Sequence, residues 1–225
     1  MTHSEAYKEL EKDFDILVRK FTYWRHELRR SMLKSKTFPR TVWLDYTTPR
    51  HNRFLVELKV FDRRMRRAIT RTSAIRNTSG GMEVFNFWLS KETHVDKMVF
   101  TPHALSRYAE RAKVGKTGIE LFKHFSSHNV DGLDEDDEKL MGQSVRYNGE
   151  DLHACCMSEG VMLGKIEDGV FVLRTFITYD MCTGRQKKSF EQKKLKVRSD
   201  EEVVKRSLSQ GEGRSKPWKG FRDYV

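Results

Sequence analysis

The segment TPHALSRYAER, residues 101–111, carries the residue types best suited to chemistry. It places His103, Arg107 and Arg111 at steps of four, which keep the three side chains of a helix within a stripe about 80° wide. Arginine binds phosphate in a forked geometry, and histidine is the side chain that titrates nearest neutral pH. Together these residues predict metal-free cleavage of RNA, in which a 2′-hydroxyl attacks its own phosphate.

The start of this segment favours anion binding as well. Thr101 is a suitable N-cap and Pro102 a suitable first helical residue, so His103 falls in the first turn. Free backbone N–H groups and the positive end of the helix dipole attract phosphate at such a terminus. Glu110 lies beside the stripe and could act as a base. A histidine and two arginines opposite an apolar face are also typical of any solvated helix surface, and the sequence leaves both interpretations open.

The chain is strongly basic, which indicates a polyanionic partner. Its 225 residues carry a net charge of +11, and 37% are hydrophobic against 33% charged. Such a surface attracts nucleic acid, although it also serves solubility, and arginines at a sheet edge discourage aggregation. We expect RNA or another polyanion to contact two basic runs, of which the first contains Arg63, Arg64, Arg66 and Arg67 and the second Arg185, Lys187, Lys188, Lys193 and Lys194.

Other features of the sequence exclude several classes of protein. No apolar run approaches the roughly 20 residues of a membrane-spanning helix, and the polar, acidic start is unlike a secretory signal, so we expect a cytoplasmic protein without membrane contact. The cysteines are too few for a disulfide framework or a four-ligand zinc site. His124 and His128 have a spacing that suits a metal, but no third ligand is evident nearby in the sequence. We therefore predict neither a metal nor a cofactor.

The first element is an amphipathic helix. Apolar residues recur at alternating steps of three and four from Tyr7 to Leu28, which predicts a helix over residues 4–35. Thr2 and Glu5 fit a capping box at its start. Because aromatic residues dominate the apolar stripe, it suits packing on the protein's own sheet. The heptad spacing also suits a coiled-coil seam between two chains, and therefore a homodimer.

The rest of the chain is rich in strands and predicts an α+β fold. Four strand-like segments separated by turns follow the first helix and predict an antiparallel meander. In RFLVELKVF, residues 53–61, the alternation puts Glu57 on the face opposite Phe54 and so predicts a half-buried strand. Two helices, an acidic loop at residues 131–138 and four more strands follow. The two sets of strands form either two sheets or one sheet that continues across residue 97.

The last two strands form a hairpin around Asp168 and Gly169, a residue pair that tolerates the positive φ angles of a two-residue turn. The turn sets the register of the two strands, and Leu163 then faces Arg174. In this register Arg174 lies on the less apolar face of the hairpin, whereas Thr175 points toward the core.

Several of these segments resemble a known family. HALSRYAER, the strands GVMLGKIEDGVFVLRTFIT and Gln186 are similar to small uncharacterised RelE-like domains, which belong to the group of RelE- and barnase-type endoribonuclease folds. The resemblance covers residues 98–186 and implies helices packed on one antiparallel sheet around a metal-independent ribonuclease site. The chain departs from the family pattern by a helix and an acidic loop inserted at residues 113–141 and by its 97 N-terminal residues. The family helix corresponds to His103, Arg107 and Arg111, and the family's terminal strand to Arg174 and Thr175.

Motifs and composition divide the chain into three predicted regions. Residues 1–97 would form a long N-terminal helix on an antiparallel meander, and residues 98–186 a RelE-like unit of helices and an antiparallel sheet. Residues 187–225 would form a basic C-terminal tail, in which Ser199 and Glu202 cap a short helix.

The predicted function is RNA binding with metal-independent endoribonuclease activity. In this hypothesis His103 acts as an acid or a base, and Arg107, Arg111 and Arg174 hold the phosphate. The alternative is a non-catalytic adaptor that dimerises through the N-terminal helix. Such an adaptor would bind a protein partner through the acidic loop at residues 131–138 or through the C-terminal tail.

Overall fold

The computed structural model describes residues 1–87, 97–129, 143–147, 149–184, 186–188 and 190. The fold is α+β, as predicted, and within these residues the strands form one sheet with helices against both faces. The helices are α1 (His3–Glu11), α2 (Phe14–Leu33), α3 (Pro102–Arg111) and α4 (Gly118–Asn129). The strands are β1 (Arg40–Thr47), β2 (Arg53–Val60), β3 (Ala68–Thr78), β4 (Gly81–Phe87), β5 (Lys97–Phe100), β6 (Gln143–Tyr147), β7 (Glu150–Cys156), β8 (Val161–Glu167) and β9 (Val170–Ile177). In the described part of the chain, no helix combines the length and the apolar character needed to cross a membrane.

The sheet is continuous because of β5, a strand of four residues. It pairs antiparallel with β4 and parallel with β9, where Met98 lies opposite Phe171 and Phe100 opposite Leu173. The strand order is β1-β2-β3-β4-β5-β9-β8-β7-β6. Of the two arrangements left open by the sequence, one sheet is observed. The sequence did not predict β5, because four residues are too few to display an alternation.

The N-terminal helix is broken near Asp13, although the sequence predicts one continuous helix. The predicted capping box is present, since the Thr2 N–H donates to the Glu5 carboxylate at 2.8 Å and the Glu5 N–H donates to the Thr2 hydroxyl at 3.1 Å. Asp13 is fully buried, and its carboxylate accepts hydrogen bonds from Thr48 and Asn52, each at 2.7 Å. A buried carboxylate requires such partners, and the chain turns between α1 and α2 where Asp13 meets the β1–β2 connection.

The apolar stripe of α1 and α2 packs on the protein's own sheet. Tyr7, Leu10 and Leu17 share one buried cluster with Phe54 of β2 and Val172 of β9. The three stripe residues are at most 8% exposed. A coiled-coil seam through these residues is therefore not available in this fold, and the stripe instead spans strands from both halves of the sheet.

The opposite face of the sheet is covered by α3 and α4, which makes the predicted half-burial of β2 wrong. Leu55 and Glu57, on this second face, are each 1% exposed. The Ser126 hydroxyl of α4 donates to the Glu57 carboxylate at 2.7 Å, and the Arg71 guanidinium lies 3.4 Å from the same carboxylate. The alternation of the sequence predicts that a charged residue such as Glu57 is exposed. This prediction fails because the hydrogen-bond partner that permits its burial lies on a helix far along the chain.

The β8–β9 hairpin has the predicted turn but only part of the predicted register. Asp168 and Gly169 have positive φ angles of 49° and 76°, as the turn requires. A β-bulge then shifts the pairing at Leu163, which faces Thr175 and not Arg174. Each pair beyond the bulge is displaced by one residue from the prediction.

The bulge follows from a close approach of β8 and β9 at Gly164. This residue faces Leu173, as predicted, and a Cβ atom at position 164 would lie only 2.2 Å from the Val172 carbonyl oxygen. Glycine alone permits such an approach. Arg174 thereby becomes the extra residue of β9, and extra residues in bulges point in directions that a regular strand does not allow.

Tyr7 links α1 to the centre of the sheet. It is fully buried, and its hydroxyl lies 2.9 Å from the carbonyl oxygen of Asn86 in β4 and 2.7 Å from that of Met98 in β5. Its ring packs edge-on against Phe85 and Phe87. Burial raises the pKa of the Tyr7 phenol, so the hydroxyl remains a neutral donor. Tyr7 therefore contacts both strands at the junction between the two halves of the sheet.

Replacing Tyr7 with phenylalanine should lower the free energy of unfolding by about 1–3 kcal/mol, because buried carbonyl oxygens lose their donor. Urea denaturation followed by circular dichroism measures this change. Tyr23→Phe is the matched control, since Tyr23 is 56% exposed and its hydroxyl bonds Glu27 at the surface. We expect the control to change stability by less than about 0.5 kcal/mol. Equal losses in the two variants would contradict a bridging role for Tyr7.

Candidate functional site

A pocket of about 300 Å³ lies where α3 meets β7 and β9. It brings together residues that are far apart in the sequence. Its lining contains all four residues that the sequence proposes for catalysis, namely His103, Arg107, Arg111 and Arg174. The lining is completed by Glu150 and Leu152 of β7 and Thr175 of β9.

The start of α3 is attached to β9 through Thr101. As predicted, Thr101 caps the helix, and its hydroxyl accepts the Ala104 N–H at 3.2 Å while donating to the Leu173 carbonyl oxygen at 2.7 Å. Pro102 occupies the first turn. Because the apolar side of α3 is buried in the core, the stripe that begins at His103 lies on the pocket side.

Arg111 is bound to the backbone of β9. Its guanidinium donates to the Phe176 carbonyl oxygen and to the Thr175 hydroxyl, the latter at 3.4 Å. β5 pairs with β9 only as far as Leu173, so these contacts satisfy polar groups on a part of β9 that β5 does not reach. Arg111 therefore positions the end of α3, and a ligand would meet only its remaining N–H groups.

His103 and Arg107 form the α3 side of the pocket opening. The Arg107 Nε atom lies 3.5 Å from His103 Nε2, and Arg107 Nη1 lies 2.6 Å from the Glu110 carboxylate. The Arg107 and Glu110 side chains are 38% and 61% exposed, and exposed ion pairs of this kind contribute at most about 1 kcal/mol. Glu110, which the sequence offers as a base, is thus the counter-ion of Arg107 and lies outside the pocket lining.

Arg174 supplies the positive charge on the β9 side. Its guanidinium lies 2.8 Å from the Glu167 carboxylate and 3.4 Å from that of Glu150. The hydrogen bond and charge of Lys165, followed by the charge of Arg174, hold the pKa of Glu150 below its usual value, so Glu150 is an anion at neutral pH. The lining therefore combines three arginines and one histidine with a single carboxylate, and the pocket is net positive.

Sequence reasoning missed Glu150 and Leu152, and it placed Thr175 in the core. Thr175 is 8% exposed, but its hydroxyl meets Arg111 and the residue lines the pocket. A glycine inside a strand pattern is the signal that could have indicated the bulge. No local signal marks Glu150, because it meets Arg174 and the other lining residues only in the folded chain.

The first predicted nucleic-acid run lies on the β2–β3 connection, away from the pocket. Asp62 organises this connection, since its carboxylate accepts the backbone N–H groups of Arg64, Arg66 and Arg67 at 2.8–3.3 Å. Burial tends to raise the pKa of Asp62, but these three donors outweigh it, and the pKa is lowered. The side chains of Arg63, Arg64 and Arg66 are exposed, whereas Arg67 pairs with Asp62 at 3.5 Å.

The second predicted run is described only in part. Lys187 and Lys188 are exposed. Arg185, Lys193 and Lys194 lie outside the described residues, as do the acidic run at residues 131–138 and the chain beyond residue 190.

Tyr108 anchors the middle of α3 to α4. Its hydroxyl lies 2.6 Å from the Glu159 carboxylate, 3.0 Å from His124 Nδ1 and 3.2 Å from Asn129 Nδ2. The rings of His124 and His128 stack with their centroids 4.0 Å apart. Across the described ranges, no group of three side chains could hold a metal ion, and we interpret this cluster as a structural network.

Comparison with known proteins identifies no relative, since no family model, no curated protein and no solved structure matches the chain. The resemblance to RelE-like domains therefore remains a prediction from the sequence motif. The function has to be argued from the geometry of the pocket.

Thr101→Ala should reduce the free energy of unfolding by about 1–2 kcal/mol, because α3 loses its cap and β9 loses a side-chain donor. Urea denaturation of the purified chain measures the loss. Thr101→Ser keeps the hydroxyl and should retain most of the stability. A serine variant as unstable as the alanine variant would mean that the methyl group, and not the hydroxyl, fixes α3.

The network around His124 should make stability fall as the pH is lowered. Burial, followed by the charges of His128 and Lys116, lowers the pKa of His124, so the unfolded chain binds a proton at a higher pH than the folded chain. Stability is then lost as the pH falls through about 6.5, the pKa of an unperturbed histidine. Melting temperatures of the natural chain and of His124→Gln, compared between about pH 7.5 and 5.5, test this. The melting temperature of the natural chain relative to that of His124→Gln should fall on acidification. A difference that stays constant or grows would contradict a lowered pKa of His124 in the folded chain.

Proposed function

We propose that this chain binds RNA through the α3–β9 pocket and cleaves it without a metal ion. One observation carries the proposal: His103 and Arg107 on α3 and Arg174 on β9 line the same pocket of about 300 Å³. This volume is at the lower end for ligand pockets, which suits a phosphodiester group with its ribose better than a longer stretch of RNA.

The reaction is a transesterification within the RNA strand. The 2′-oxygen attacks the adjacent phosphorus and forms a 2′,3′-cyclic phosphate, while the bond from phosphorus to the 5′-oxygen of the next nucleotide breaks. A base takes the proton of the 2′-hydroxyl, and an acid donates a proton to the departing 5′-oxygen. His103 performs one of these transfers, and the arginines stabilise the negative charge that develops on the phosphate oxygens.

Arginines that are already paired can still serve this reaction. Arg107 is paired with Glu110, and Arg174 with Glu150 and Glu167, but all of these side chains are more than a third exposed. Exposed pairs of this kind contribute at most about 1 kcal/mol, so exchanging a carboxylate for a phosphate costs little. Arg111 has the different role of holding α3 against β9.

The pairing of every pocket arginine also favours a second candidate, a non-catalytic module. Carboxylates already pair with Arg107 and Arg174. In this second candidate the pocket binds an anion or a partner's carboxylate and performs no chemistry. The two candidates differ in one measurable property, which is whether a bound RNA is cleaved.

We predict that the purified chain cleaves a fluorescein-labelled RNA in the presence of EDTA and leaves 2′,3′-cyclic phosphate and 5′-hydroxyl ends. His103→Ala should slow cleavage about 100-fold or more, because a proton transfer is lost. Arg174→Gln should slow it with little change in circular dichroism. His128→Ala is the matched control, since His128 is an exposed helical histidine outside the pocket lining and should leave the rate unchanged.

Three results would decide against cleavage in this pocket. Activity that disappears with EDTA would indicate a metal, and equal activity on DNA of the same sequence would exclude attack by the 2′-hydroxyl. If His128→Ala lost as much activity as His103→Ala, cleavage would not depend specifically on the pocket. RNA binding that needs Arg174 but yields no cleavage would favour the non-catalytic module.

A further inference from the structure

A second positively charged surface lies at a different corner of the molecule. It is formed by the C-terminal half of α2, the segment that leads into β1, and the β2–β3 connection. We call it the basic corner, and its members are Arg29, Arg30, Lys34, Arg40, Arg64 and Arg66, all with exposed side chains.

Packing beneath the basic corner brings its three segments together. Met32, near the end of α2, and Met65, on the β2–β3 connection, are 0% and 3% exposed and belong to one buried cluster with Val60. Val60 is in turn the pairing partner of Arg40 in β1. The three segments that carry these cations are therefore joined by one buried apolar cluster.

The cations of the basic corner differ from those of the pocket in having no carboxylate partner. Among the described residues, none of the six forms an ion pair. The nearby acids are already used, because Asp62 accepts three backbone N–H groups and pairs with Arg67, and Glu27 accepts the Tyr23 hydroxyl. A nucleic acid whose phosphates are neutralised by unpaired exposed cations releases its own condensed counterions, and this release favours binding.

An aromatic surface adjoins these charges on α2. Tyr23 is 56% exposed, and it lies seven residues before Arg30, which places both on the same face of the helix. The Lys20 ammonium lies 5.2 Å from the centre of the Tyr23 ring and 5.7 Å from that of Trp24. An exposed ring such as Tyr23 beside cations suits single-stranded nucleic acid, because a base can stack on the ring while the cations contact phosphates.

The basic corner is too far from the pocket to be part of it. Leu173 of β9 is aligned through Phe100, Val84 and Ile75 with Arg53, the first residue of β2. The β2–β3 connection follows the other end of β2, roughly 23 Å away along the strand, and β2 lies four strand spacings, roughly 19 Å, from β9. A ligand of the pocket alone would not reach the basic corner.

We propose that the basic corner is a binding surface for the backbone of single-stranded RNA, separate from the pocket. It extends the RNA binding proposed above, but it does not depend on cleavage. Apolar surface for membrane insertion is scarce there, since Leu33 is the one large aliphatic side chain near these cations that is more than half exposed among the described residues. The charge and the exposed ring of Tyr23 therefore favour nucleic acid over an anionic lipid surface.

The test uses a fluorescein-labelled 2′-O-methyl oligouridylate, which cannot be cleaved because its 2′-oxygen carries a methyl group. Fluorescence anisotropy gives its affinity for the full chain over a range of salt concentrations. The corner variant combines Arg30→Gln, Arg64→Gln and Arg66→Gln. The matched control combines Lys8→Gln, Arg76→Gln and Lys116→Gln, which removes the same formal charge from exposed residues that lie outside the basic corner.

We expect the corner variant to bind the probe at least about tenfold more weakly near 0.1 M salt, and the slope of log affinity against log salt to fall by about two, since three phosphate contacts are lost. The control variant should differ from the natural chain by less than about twofold. Urea denaturation should give similar stabilities for all three proteins, because the substituted side chains are exposed.

Other outcomes would overturn the assignment. If both variants weakened binding equally, the effect would be one of net charge and not of the basic corner. If the natural chain did not bind the probe, the basic corner would not be a surface for single-stranded RNA. Tighter binding to phosphatidylserine vesicles than to the oligouridylate, lost in the corner variant, would assign the surface to membranes. The uncleavable probe separates this proposal from cleavage in the pocket, since the corner variant should bind the probe more weakly whether or not the natural chain cleaves RNA.

Discussion

Three residue pairs between β5 and β9 hold the two halves of the sheet in one register. Because α3 begins immediately after β5, the same pairs determine where its first turn stands relative to β9. Thr101 then bonds Leu173 from one side, and Tyr7 contacts β4 and β5 from the other. A slip of one residue in this pairing would turn the side chains of β9 to the opposite face and separate Arg174 from His103.

Buried carboxylates attach the helices to this sheet. Asp13 accepts hydrogen bonds from the β1–β2 connection and lies at the break between α1 and α2, while Glu57 accepts a hydrogen bond from Ser126 and so joins β2 to α4. A buried carboxylate is costly without partners, so each of these residues restricts where its neighbouring helix can lie. The helices on both faces are therefore held by polar contacts as well as by apolar packing.

The molecule carries positive charge in two physically different settings. In the pocket, Arg107 and Arg174 are paired with carboxylates and Arg111 with backbone, so an incoming phosphate exchanges one partner for another in a defined geometry. In the basic corner, exposed arginines such as Arg30 and Arg64 have no carboxylate partner within the described chain. The first setting favours a single oriented anion, and the second favours an extended polyanion held by charge.

Features that depend on neighbours along the chain were predictable from the local pattern. These are the capped start of α3, the stripe that begins at His103, the turn at Asp168 and Gly169, and most of the strands, because propensity and alternation act over a few residues. Features that depend on distant partners were not predictable from the local pattern. The short strand β5, the break at Asp13 and the entry of Glu150 into the pocket each arise from contacts with segments far along the chain, and only folding brings those segments together.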